Sequence, residues 1–405
     1  MKRFLLIVLV LLVTLSGCGA GAGLVDKIDA LAHPSAFSLL RWEVGALSKE
    51  LMSFVRHPFA KADPNNSALV MAYFDLVAQE NDLRQQIDGI QGGFTKGDEG
   101  ALQERLELIA TERIGIEREV EEIVGRQLSL AAASLGIYNP LDACWNVSLT
   151  FPPIKLRLQE PPKLLVVSPR DNIDRLTSIT LNSDLNQIEI VALEEKVEEF
   201  GVSAIVVGLG GIATYPSFVN NNYGLRTALD IAAEEWMHQY LFFRPLGFRY
   251  ALHELGISQP LDTIVMNETF AGMVASEIAA EAYAQFYSQS EDVSAALLSQ
   301  PVFDFYGELC QTRSMVDTLL GQGMVDEAEA YMEARRQEFA EHGYYIRKLN
   351  QAYFAFYGCY ANQPGFENPI GVDLQTLRDN SSSLADFVQI VSSFSGREDL
   401  ARAVS

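Results

Sequence analysis

The segment Glu234-Glu235-Trp236-Met237-His238 constrains the fold of this chain most, because it sets ionisable side chains among apolar ones. On a helix, residues four apart point the same way, so Glu234 and His238 would share one face. Apolar residues around the segment recur at helical spacing and predict a helix over residues 223–243 with a buried stripe. The stripe residues are Leu225, Leu229, Ala232, Trp236 and Tyr240. Carboxylate oxygen and imidazole nitrogen both bind zinc, so the polar face is a candidate metal site.

Together with Asn267-Glu268, this segment resembles the gluzincin metallopeptidases, whose motif helix usually reads His-Glu-x-x-His. In that family a later helix supplies a glutamate as the third ligand, often directly after an asparagine. The resemblance implies that Glu234, His238 and Glu268 bind zinc. It also implies that Glu235 is the general base that takes a proton from the attacking water.

Two positions depart from the family pattern: Glu234 replaces the first histidine, and Gly272 stands where an acidic residue is common. A site with two carboxylates is more negative than one with two histidines, which weakens the Lewis acidity of the metal. We therefore expect modest activity, or manganese in place of zinc. Glu277 is two to three turns from Glu268 on a helix predicted over 268–290, so we expect it to support the ligands without binding the metal.

Late tyrosines are the candidates for stabilising an oxyanion. Residues 349–353, Leu-Asn-Gln-Ala-Tyr, resemble an element of bacterial predicted aminopeptidases with zincin folds. Many zincins use a tyrosine or histidine from a late helix for this role, which has a clear electrostatic basis. Tyr353 and Tyr357 are the catalytic candidates, with Tyr360 beside them. Aromatic packing in the core is the alternative for each of them.

Residues 1–18 have the pattern of an export signal. Lys2 and Arg3 precede an apolar run from Phe4 to Leu15. The end of the run, Leu-Ser-Gly-Cys, resembles the lipobox of bacterial lipoproteins and implies that Cys18 is acylated. No later stretch approaches the roughly 20 apolar residues that span a bilayer. We therefore expect an extracytoplasmic body in the bacterial cell envelope, held at the membrane by its N-terminal lipid.

Charge and cysteine content exclude several classes of protein. The formal net charge is −23, and it falls to −25 when Lys2 and Arg3 leave with the signal. Nucleic-acid binding depends on neutralising phosphates, so we expect no nucleic-acid partner. Cys144, Cys310 and Cys359 lack C-x-x-C spacing and therefore predict neither a zinc knuckle nor a redox pair. Two states of these cysteines remain open: one disulfide with a spare thiol, or three free thiols.

The predicted fold class is α+β and mostly helical. A zincin-like catalytic domain would carry a small β-sheet before the motif helix, and a long helical hairpin would precede it. The glycine-rich segment 210–216 suits the sheet edge where a zincin pairs with its peptide substrate. Four segments are predicted after the signal: a tether at 19–35, a helical hairpin domain at 36–137, an α/β subdomain at 138–222 and a helical domain at 223–405. The hairpin would consist of helices near 68–88 and 101–130. The subdomain would contain strands at 154–158, 163–168 and 203–207 and a helix at 184–200.

Three functions follow from these residues. The first is a membrane-tethered, metal-dependent peptidase that hydrolyses peptide or protein substrates. The second is a zincin-like lipoprotein that has lost catalysis and acts as a binding module. The third is a di-iron carboxylate protein, which needs a second Glu-x-x-His that this sequence lacks.

Overall fold

The computed structural model is mostly helical with small β-sheets, which confirms the α+β class at that level. It describes residues 23–37, 62–91, 96–140, 150–254, 261–288, 303–342, 344–357 and 369–404. The helices are α1 (Leu24–Ala32), α2 (Ser67–Gln91), α3 (Glu99–Ser134), α4 (Gln187–Glu198), α5 (Leu225–Leu241), α6 (Pro245–Glu254), α7 (Leu261–Phe286), α8 (Phe305–Gly321), α9 (Val325–Glu341), α10 (Gln351–Tyr357), α11 (Pro369–Asn380), α12 (Leu384–Ser392) and α13 (Arg397–Val404). The strands are β1 (Leu156–Leu158), β2 (Lys163–Pro169), β3 (Thr177–Leu181), β4 (Val202–Gly208), β5 (Gly211–Ile212) and β6 (Ser217–Val219).

Helices α2 and α3 pack against each other as an antiparallel hairpin, each somewhat longer than its sequence pattern predicts. A buried charge lies between them. The Arg113 guanidinium donates to Glu80 at 2.6 Å, to Glu117 at 2.7 Å and to the Tyr73 hydroxyl at 2.9 Å. Sliding one helix along the other would separate Arg113 from its partners on α2, and an unpaired buried charge costs several kcal/mol. The network therefore fixes the register between the two helices.

Strands β3, β2 and β4 form an antiparallel sheet with β2 in the middle. Side chains alternate between the two faces of a strand. Leu165 therefore packs with Ile28 of α1 and Val197 of α4 on one face. On the other face Val166 packs with Ala352 of α10. Burial on both faces explains why β2 and β4 read as nearly continuous apolar runs.

The second sheet lies nearer to the motif helix. Strand β6 pairs with β1 in parallel and with β5 in antiparallel fashion, in the order β1-β6-β5. Strand β5 is thus an edge of this sheet within the described residues. Its two residues fall inside the segment 210–216, which the sequence predicts as an edge strand.

The largest core surrounds α5 and α7. All members of the predicted apolar stripe on α5 are buried in it. Trp236 is fully buried, and its indole Nε1 donates to the Pro152 carbonyl at 2.8 Å. The two helices run antiparallel, since the Arg226 guanidinium lies 3.8 Å from the Tyr283 ring centre while His238 lies beside Asn267. This crossing joins the motif helix to the segment that carries Glu268.

Several elements differ from expectation. The tether predicted over 19–35 is a helix at Leu24–Ala32, because Ile28 and Ala32 bury against the first sheet. Helix α7 begins at Leu261, before the predicted 268. Strands β3 and β6 have no counterpart in the predictions. Among the described residues, no helix has the length and apolarity that a membrane span requires. The predicted lipidation site Cys18 lies outside the described residues, as do Cys144, Cys359 and Tyr360.

Candidate metal centre

Helix α5 carries two further rows of side chains beside its apolar stripe. Asp230, Glu234 and His238 recur every four residues and face α7. Ile231 and Glu235 occupy the neighbouring face, which packs against β5. Because α5 has no proline or glycine after its N-cap, both rows remain in register along the helix.

The structure brings Glu234, His238 and Glu268 together. One donor atom from each lies within 4.8 Å of the other two, and His238 Nε2 is 3.7 Å from Glu268 Oε2. Tetrahedral ligands at zinc-bond length are roughly 3.3 Å apart, so a small contraction would let all three reach one ion. Glu268 is buried and the other two are half-buried. This group can hold a metal, although its geometry does not select which one.

Asn267 fixes the orientation of His238. Its Oδ1 lies 2.9 Å from His238 Nδ1, and an amide oxygen only accepts, so Nδ1 carries the proton. In the neutral imidazole, Nε2 then has a free lone pair on the side of Glu268. The ring of Tyr250 stacks on the imidazole with centres 5.4 Å apart and a 16° interplanar angle. These contacts hold the imidazole in the tautomer that binds metal through Nε2.

The carboxylates of α5 are costly to ionise where they lie. Burial raises the pKa of Glu234 to about 7; a protonated His238 would oppose this rise, and Glu268 and Asp230 add to it. Burial also raises the pKa of Glu235 well above its usual range, with Glu234 and Glu268 contributing. A cation bound among these carboxylates would attract each of them and offset the repulsion between their negative charges.

Glu235 lies directly against the edge strand. A methyl group placed on Gly211 would come within 2.5 Å of Glu235 Oε1 and 2.6 Å of Ile231 Cγ2. Only a residue without a side chain therefore lets the backbone of β5 approach this carboxyl group. One turn further along α5, Gln239 Nε2 donates to Ser217 Oγ of β6 at 2.7 Å. The contact holds the β5–β6 hairpin along the helix.

The other predicted site residues are not part of this group. Glu277 forms a two-point ion pair with Arg378 of α11, at 2.6 and 2.8 Å. The rings of Tyr353 and Tyr357 contact each other at a tilt of 41°, with centres 4.5 Å apart, and pack against the first sheet. Burial raises the pKa of the Tyr357 phenol, and the nearby Tyr223 raises it further.

Sequence reasoning missed three supporting residues. The sequence pattern assigns Asn267 no role beyond preceding Glu268, although its position one residue before a ligand already suggests a supporting contact. Gln239 continues the row of Ile231 and Glu235, so helical spacing alone could have placed it beside the sheet. The stacking of Tyr250 on His238 has no local signal, because it depends on how α6 folds back against α5.

Comparison of the chain with protein-family models, with curated proteins and with solved structures found no match.

Proposed function

We propose that the protein is a metal-dependent peptidase whose ligands are Glu234, His238 and Glu268. The convergence of these three donors beside Glu235 supports this proposal most directly. The triad alone would support any metal-binding role. The additional presence of a carboxyl group against a strand that is an edge of its sheet within the described residues favours hydrolysis of an extended peptide.

The residues fit a divalent cation. Two carboxylate oxygens and one imidazole nitrogen suit zinc, and the oxygen-rich set also suits manganese. Such an ion, when bound, polarises a carbonyl group and lowers the pKa of a coordinated water. The His238 and Glu268 side chains are each 10% exposed, so solvent still reaches the edge of the site.

Glu235 is the proposed general base. It would accept a proton from the attacking water and deliver it to the leaving amine. Burial raises the pKa of Glu235 well above its usual range, and a neighbouring cation would lower this pKa and favour the ionised base. A peptide paired with the edge of β5 would lie within reach of this carboxyl group, because Gly211 contacts it directly.

The N-terminal sequence supports a membrane-tethered location for this activity. The charged start, the apolar run and the cysteine of residues 1–18 have the order of a bacterial lipoprotein signal. We propose that Cys18 carries the lipid and that the catalytic body faces away from the cytoplasm. Labelling cells with a radioactive fatty acid would mark the wild-type chain and leave Cys18→Ser unlabelled.

A binding module without catalysis is the second candidate. The observation that favours it is Glu234, a carboxylate at the position where the resembled family has a histidine. A second carboxylate lowers the net charge of the site and weakens activation of water. Under this alternative, the chain would bind a metal or a peptide without cleaving the peptide.

Hydrolysis by a Glu235→Gln variant decides between the two candidates. We expect the metal-loaded wild-type chain to cleave members of a peptide library. The variant should lose roughly 10²–10⁴-fold in rate, as removal of a general base does elsewhere. Glu195→Gln, an exposed exchange on α4, is the matched control. Equal cleavage by wild type and Glu235→Gln would refute the mechanism, and no cleavage by a metal-loaded wild type would favour the binding module.

A further inference from the structure

Two buried polar groups behind the metal centre lack partners. Asn267 uses its Oδ1 on His238, but its Nδ2 meets no hydrogen-bond partner in the described part of the chain. The same holds for Oγ1 of Thr263. Asn267 is 0% exposed and Thr263 is 1% exposed, so bulk water reaches neither group. Leaving each one unsatisfied costs roughly 1–3 kcal/mol.

The spacing of the two groups suggests how they are satisfied. Thr263 and Asn267 are four residues apart on α7, which puts their Cβ atoms roughly 5–6 Å apart on one face. A single water with two hydrogen bonds of ordinary length spans up to roughly 5.6 Å. Buried waters are found where they satisfy otherwise unpaired polar groups. This spacing is compatible with one bridging water between a donor, Nδ2, and an acceptor, Oγ1.

We propose that Thr263 is a positioning residue of the metal centre, acting on His238 through one buried water and Asn267. The inference rests on the proposed metal-binding function of His238. The water accepts from Asn267 Nδ2 and donates to Thr263 Oγ1. This holds the amide with its Oδ1 towards His238 Nδ1.

The amide orientation matters because the reverse one changes the histidine. If the amide turned by half a rotation, Nδ2 would face His238 Nδ1 and require a lone pair there. The proton of the neutral imidazole would then move to Nε2, the atom that lies near Glu268. A protonated Nε2 cannot bind a metal. Thr263 thus favours the tautomer that can.

Thr263→Val tests the proposal, because valine keeps the shape of threonine and removes the hydroxyl group. Thr269→Val is the matched control. Thr269 is also 0% exposed with an unpartnered Oγ1, but it lies roughly 200° around the helix from Asn267. Thr263→Ser retains a hydroxyl group and should restore the wild-type behaviour. All variants are made in the full chain, and their thermal unfolding is compared first.

The first readout is zinc affinity, measured by competition with a chelating dye. We expect Thr263→Val to weaken zinc binding about tenfold, as loss of a group supporting a ligand typically does. Thr269→Val and Thr263→Ser should bind as the wild type does. Wild-type zinc affinity in Thr263→Val would overturn the proposal.

The second readout is the tautomer of His238 in the metal-free chain, from nitrogen chemical shifts of isotope-labelled histidine. His238→Ala assigns the signal. We expect the proton on Nδ1 in wild type and a larger share on Nε2 in Thr263→Val. If the wild type binds no metal, the proposed function fails, yet this readout still tests Thr263. An unchanged tautomer in Thr263→Val would overturn its positioning role.

Discussion

A methyl group at position 211 should disable the site without removing its metal. In Gly211→Ala the new carbon would lie 2.6 Å from Ile231 Cγ2 and 2.8 Å from Glu235 Cγ. Carbon atoms in contact settle at roughly 3.5–4.0 Å, so β5 and the Glu235 side chain must separate by about 1 Å. Gly211 has no positive φ, and alanine therefore adds no backbone strain. The effect is purely steric.

A displacement of that size has a known consequence for catalysis. Misplacing a reacting group by about 1 Å can lower a rate about 10²-fold. We expect this loss in kcat/KM for peptide hydrolysis by Gly211→Ala. Metal content should remain that of the wild type, because Gly211 contacts the face of α5 that carries Glu235 and not the face that carries His238.

Gly208→Ala is the matched control for this experiment. A methyl group there meets nothing within 4 Å, although position 208 is only three residues before the edge strand contact. Peptide hydrolysis, metal content and thermal unfolding are measured for both variants. If Gly211→Ala hydrolyses peptide as fast as Gly208→Ala and wild type, the contact between β5 and Glu235 has no catalytic role and the reasoning is refuted.

Two further predictions concern stability and pH. Within α3, Gly115→Ala meets nothing within 4 Å and should stabilise the fold by about 1 kcal/mol through helix propensity. Gly125→Ala puts its methyl group 2.7 Å from the Ile154 carbonyl oxygen and should destabilise the fold by about 1–3 kcal/mol. Urea unfolding measures both variants, and midpoints of Gly115→Ala and Gly125→Ala that shift in the same direction would contradict the prediction. Because protons compete with metal for Glu234, whose pKa without metal is about 7, zinc affinity should fall about tenfold per unit below pH 7. Calorimetry across pH 5–8 measures it, and a flat profile would contradict competition between protons and metal at Glu234.

The parts of the fold that follow from local sequence were predictable. Helix α5 was placed within two residues at each end, because its apolar stripe has a clear helical period and Pro245 and Gly247 follow it. The long hairpin was likewise visible in its periodicity and in the glycines between its helices. The approach of Glu234, His238 and Glu268 was foreseen through the family resemblance, since spacing alone joins only the first two.

The elements that depend on tertiary contacts were not predictable. Strand β6 has three residues and exists because β1 and β5 flank it. Helix α1 follows a glycine-rich stretch and is stabilised by burying Ile28 against the sheet. The pairing of His238 with Asn267 spans 29 positions and depends on the crossing of α5 and α7. Such contacts leave no periodic signal in the sequence.

Metal content of the purified full chain tests the central claim most directly. Elemental analysis is made on wild type, His238→Ala and His33→Ala, an exposed histidine that serves as control. The account predicts about one zinc or manganese ion per chain in wild type and His33→Ala, and its loss in His238→Ala. No metal in the wild type after incubation with zinc and manganese, or equal metal in His238→Ala, would contradict it.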